Sequence, residues 1–144
     1  MTGQRGREDG TLKILVAYDG SPEAKRALEW VTRLEDSAAT VLGVVPTLAG
    51  SERIADAVDP SVRPTELQAE LGEAANRLAQ VGVHAEPLVK AGNPAQVIIE
   101  TAEAGAYDLI VIGTRGRHAI ERFLFGSTAE RVAWHATTPV LLVR

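Results

Sequence analysis

Cysteine is absent from the 144-residue chain. Disulfides, thiol catalysis, iron–sulfur clusters and cysteine-ligated zinc are thereby excluded, and a reducing compartment, the cytoplasm, is the expected location. Positive charge is not in excess either, since 15 Lys and Arg face 19 Asp and Glu for a formal net charge of −4. Without a basic field to attract a nucleic-acid backbone or an anionic membrane, neither is an expected partner. No apolar run approaches the roughly 18 residues of a membrane span. Met1 to Gly10 also lacks the apolar stretch of a secretion signal. Histidine is scarce, with three in all, and the spacing of His84, His118 and His135 suggests no metal site. No nucleophile, base and orienting acid can be assembled from neighbouring positions, so no catalytic residue is assigned and the metal ligands stay unknown.

What the chain does have is a 45% share of hydrophobic residues, enough to bury a core in one domain of this length. Residues 1–10 read as a flexible tail and residues 11–144 as the domain. Leu12 to Tyr18, with its unbroken Ile14-Leu15-Val16-Ala17 run, predicts a strand buried on both faces. Ser21 then caps a helix whose first position is Pro22, and Ala24, Ala27, Leu28, Val31 and Leu34 extend its apolar stripe to about Glu35. Ala39 to Val45 is a second buried strand closed by Pro46, and a long loop follows from Thr47 to Arg63.

A second helix is predicted from Pro64 to Gln80, ended by Gly82. A weaker strand runs from His84 to Val89, placed near a sheet edge by Pro87. Asn93-Pro94 opens a third helix that stops before Gly105. Leu109 to Ile112 is the most apolar strand and the expected sheet centre. A short helix from Thr128 to Ala136 and a last strand within Pro139 to Arg144 complete the series. Strict alternation of strand and helix predicts an α/β fold: an open five-stranded parallel sheet with helices on both faces. Ligands of such sheets bind beyond the carboxyl ends of the strands where strand order reverses, which directs attention to the loops after the first and fourth strands.

The loop after the fourth strand reads Gly113-Thr114-Arg115-Gly116, then nine residues, then Gly126-Ser127-Thr128. Glycines there let a ligand approach the main chain, and the free N–H groups of the following helix, with the Ser127 and Thr128 hydroxyls, favour phosphate. Taken singly, such residues far more commonly make only a turn and a helix cap. Arg115 and Arg117 could add charge-assisted contacts to phosphate, against the ordinary solvation of loop arginines. The chain lacks Gly-x4-Gly-Lys-Ser/Thr and lacks Gly-x-Gly-x-x-Gly after the first strand, so neither a P-loop nor a dinucleotide fingerprint applies. A phosphoacceptor receiver would need an aspartate where Lys90-Ala91-Gly92 stands.

The Gly-x2-Gly-x9-Gly-Ser/Thr spacing resembles the nucleotide-binding signature of the universal stress protein family. The likeness extends over nearly the whole chain, from Ile14-Leu15-Val16-Ala17-Tyr18-Asp19-Gly20-Ser21 to Thr138-Pro139-Val140-Leu141-Leu142-Val143. The resemblance implies strand order 3-2-1-4-5, the adenine nucleotide alpha hydrolase-like arrangement, and bound ATP, or ADP or AMP, with Mg2+ or Mn2+ as an allowed companion. By the same resemblance Ala17, Asp19 and Val44 line the adenine and ribose side, and Tyr18 and Ile112 are further nucleotide-binding residues. Gly113, Gly116, Gly126, Ser127 and Thr128 hold the phosphates, with Arg115 beside them. It further implies a homodimer through Val140 to Val143, an apolar edge strand open to an identical partner. The expected function is a nucleotide-dependent regulatory protein of the stress response with at most weak ATPase activity. Two rivals stand beside it: a slow ATP hydrolase using Asp19 and a divalent metal, and a nucleotide-free interaction module that keeps the glycines for its backbone alone.

Overall fold

The computed structural model describes residues 10–47, 63–115 and 126–144. Gly116, Arg117 and His118 lie outside the described residues, as does most of the loop expected after the second strand. The elements are β1 (Leu12–Ala17), α1 (Pro22–Val31), β2 (Ser37–Pro46), α2 (Pro64–Gln80), β3 (His84–Gly92), α3 (Pro94–Ala104), β4 (Leu109–Gly113), α4 (Ser127–His135) and β5 (Val140–Val143). They form a five-stranded sheet in the order β3-β2-β1-β4-β5. All four pairings are parallel.

Each helix starts where backbone chemistry favours it. Ser21 accepts a hydrogen bond from the Ala24 N–H at 3.1 Å and Asn93 one from the Gln96 N–H at 3.1 Å, and a proline follows each cap. The α1 helix ends at Val31, four residues before the expected stop. Leu34 still packs on the core, so its spacing reads as helical although the chain is already turning toward Asp36, whose φ is +52°. The α4 helix begins one residue early, with Gly126 rather than Ser127 in the N-cap position.

Alternation along β1 divides the core in two. Ile14, Val16 and Tyr18 face one side, where α1 and α2 supply Ala24, Ala27, Leu28, Leu67, Leu71 and Leu78. Leu15 faces the other, with Leu42, Ile110 and Ile112, and is covered by Ala95, Ile98 and Ala102 of α3 and by Ala129 and Val132 of α4. Burial of Ile14, Leu15 and Val16 is complete at 0% exposure. Each such side chain is worth about 1.5–3 kcal/mol.

The central strand is therefore β1, and the expectation of β4 at the centre is corrected: β4 pairs with β1 on one side and β5 on the other. Both strands are buried on two faces, so their apolar runs do not distinguish the middle position from its neighbour. Pro87 sits within β3, which is continuous and lies at the sheet edge, where a missing N–H costs no ladder bond on the open side. The opposite edge is β5.

Candidate functional site

Chain order reverses between β1 and β4, since β1 leads outward to β2 and β3 while the chain returns to place β4 on the other flank of β1. Ala17 and Ile112 are register partners at the carboxyl end of this pair. Beyond them the chain makes a set of short crosslinks. Thr114 donates its N–H to the Val143 carbonyl at 2.7 Å, and its own carbonyl accepts from the Gly126 N–H at 2.6 Å. That last bond carries the start of α4 to the mouth of β4, so Gly113 and Gly126-Ser127-Thr128 of the expected phosphate cradle lie side by side.

Among the described residues, no side chain caps the α4 terminus. The Glu130 N–H donates to the Gly126 carbonyl at 3.0 Å, and the amides of the turn before it have no intrahelical acceptor. Ser127 is exposed and Thr128 half-buried at the same end. Aligned amides and the positive end of the helix dipole favour an anion there.

Faces of the sheet decide which predicted residues converge. Ala17, Val44 and Ile112 all lie on the α3–α4 side of the core, the side that α4 covers with Ala129. They form an apolar floor beside the cradle, suited to a flat ring. Asp19 follows two residues after Ala17 and accepts the Ser21 N–H at 2.9 Å, the local turn expected of an aspartate before glycine.

Three predicted residues point elsewhere. Tyr18 belongs to the α1–α2 side of the core, at 8% exposure, where it lines a cavity of 280 Å³ with Gly20, Lys25, Glu70, Glu73, Ala74 and Arg77. Burial pushes its phenol pKa above the ordinary value, partly offset by the Arg77 charge. Gly113 also turns its bare side to α1: a Cβ there would stand 2.6 Å from Glu23 Cβ and 3.0 Å from the Glu23 carbonyl carbon. Helix packing alone is sufficient reason for glycine at that position. Arg115 directs its Nε–H to the Glu23 carboxylate at 3.1 Å.

Glu23 and Thr114 are the residues that sequence reasoning missed. An acid in the first turn of a helix signals the helix dipole and nothing about a loop 92 positions away. Thr114 acts through its backbone, which no side-chain pattern encodes. Among the described residues, no group of three or more His, Cys, Asp or Glu is arranged to hold a metal ion. None of their helices is long and apolar enough to cross a membrane.

Comparison with known proteins decides the family. The model of the universal stress protein family matches residues 11–144. The chain belongs to the universal stress protein family. A universal stress protein of Thermus aquaticus is 38% identical over 140 residues, spanning 91% of this chain and 97% of that protein. Among solved structures, that of hypothetical protein MJ0577 is 28% identical with a TM-score of 0.70, covering 92% of this chain and 94% of the other. A universal stress protein from Archaeoglobus fulgidus, solved in complex with dAMP, shares the fold at a TM-score of 0.68 and 24% identity, over 92% of this chain and 98% of the other. The strand order and the helices on both faces are those of this family's adenine nucleotide alpha hydrolase-like fold.

Proposed function

We propose that this universal stress protein binds an adenine nucleotide, ATP foremost, in the crevice between β1 and β4. The observation that carries the reading is the uncapped start of α4, joined through the Gly126 N–H to the Thr114 carbonyl beside the apolar floor of Ala17, Val44 and Ile112. Phosphates take the α4 amides and the Ser127 and Thr128 hydroxyls, with Gly126 leaving the main chain open to them. The adenine ring lies against the floor, and Asp19 receives ribose hydroxyls. The residues fit the nucleotide, whereas a companion Mg2+ or Mn2+ would find Asp19 as its protein carboxylate and draw its remaining ligands from phosphate and water. That a relative of the same fold holds dAMP agrees with this assignment.

Binding, rather than turnover, is the function in this reading: occupancy of the α4 terminus reports nucleotide to a cytoplasmic partner. The protein acts as a homodimer through β5, the sheet edge at which Val140, Leu141 and Leu142 are half-buried. Titration calorimetry with ATP, ADP, AMP and GTP tests the assignment. Saturable one-to-one heat with the adenine nucleotides, strongest for ATP, and sedimentation at twice the 15.3 kDa chain mass are expected. Absence of heat with every adenine nucleotide overturns the reading.

A further inference from the structure

Glu23 is a carboxylate buried to 6% exposure in the first turn of α1, and it takes no part in the crevice just described. Its two oxygens face different arginines. Oε2 accepts the Arg115 Nε–H at 3.1 Å, while Oε1 lies 3.9 Å from the Arg26 guanidinium, whose own Nε–H donates to the Arg144 carbonyl at 2.6 Å. The backbone of Gly113 lies against Glu23 closely enough to exclude a Cβ between them. Arg115 is thus fastened to α1 from one side while Thr114, the preceding residue, holds the Gly126 N–H on the other.

We propose that Glu23 is a positioning residue of the nucleotide site: through Arg115 it fixes the turn at Gly113–Arg115 and, through the Thr114 carbonyl, the orientation of the α4 terminus that receives phosphate. This rests on the nucleotide reading of that terminus. Arg115 then serves the site without touching phosphate, and its guanidinium stays on Glu23 when the nucleotide is bound. Charge alone gives the opposite expectation. Neutralising an anion near a polyanion's site would raise affinity, whereas loosening the turn lowers it.

Calorimetry with ATP on Glu23→Gln, Arg115→Gln and the double variant, run well below their melting temperatures, separates the two. Each single variant is expected to weaken ATP binding about tenfold, and the double variant by no more than either single one, because all three break one connection. In nucleotide-free protein, hydrogen exchange at the Gly126 amide should quicken in each variant. The Arg115 Nε–H resonance of the wild type should not move on saturation with ATP. Arg115 is partly exposed, so Arg115→Gln remains a usable variant if Glu23→Gln fails to fold.

Unchanged or tighter ATP binding by Glu23→Gln, additive losses in the double variant, or an Arg115 resonance that shifts with ATP would each overturn the proposal and leave the nucleotide reading intact. Wild-type protein that binds no adenine nucleotide overturns both, even where the Gly126 amide responds as expected.

Discussion

Gly126→Val is expected to abolish nucleotide-induced stabilisation while the domain remains folded. Gly126 sits at φ −72° and ψ 158°, extended backbone that a β-branched residue adopts without strain. Valine is a poor N-cap, and the loss of glycine there costs about 1 kcal/mol. The larger effect is on the ligand. Two methyl groups at the entrance to the α4 amides stand where phosphate must approach, and the linkage stabilisation, about 2.7 kcal/mol at a ligand concentration of 100 Kd, disappears. Melting curves with and without ATP measure both quantities: a modest fall in the free protein and no rise on adding nucleotide. A variant whose melting temperature still rises with ATP as in the wild type would remove Gly126 from the site.

Gly113→Ala is expected to do the reverse, lowering stability first and affecting nucleotide as a consequence. The added methyl would stand 2.6 Å from Glu23 Cβ and 3.0 Å from backbone at Glu23, and neither can swing aside as a long side chain would. Either α1 shifts outward or the carboxyl end of β4 bends. Overpacking of this kind costs about 1–3 kcal/mol. Chemical denaturation should show a lowered midpoint at an unchanged slope, the sign of a destabilised but intact native state. A Gly113→Ala protein as stable as the wild type would contradict the close approach of α1.

The two glycines carry the same letter in one loop and are read from sequence as one cradle. What separates them is the parity of β4: residues 111 and 113 face α1, while residue 112 faces α3 and α4. That parity is legible only once the helices are assigned to faces. Crossover order and handedness determine those faces, and the spacing of apolar residues within one helix does not. The same limit applies to Tyr18, which the family resemblance places at the site and alternation along β1 turns to the α1–α2 side, whereas Arg115, beyond the end of β4, is held there by Glu23.

Most of the fold was within reach because local signals were strong. Ser21-Pro22 and Asn93-Pro94 mark helix starts through side-chain acceptors that the structure realises. The apolar runs of β1, β2 and β4 mark strands buried on both faces. Reading β4 as the centre failed for a related reason, since two adjoining strands covered on both faces have nearly the same composition. The strand residues Ala17, Val44 and Ile112 share one side of the sheet near the carboxyl ends of β1, β2 and β4.

A nucleotide seated at the start of α4 is tested most directly by an amide map of the 15N-labelled protein titrated with ATP. The expected result is saturable movement of the Gly126, Ser127, Thr128 and Ala129 amides together with those of Ala17 to Asp19, and little change along α2. Movement confined to the cavity between α1 and α2, or none at either place, would contradict it.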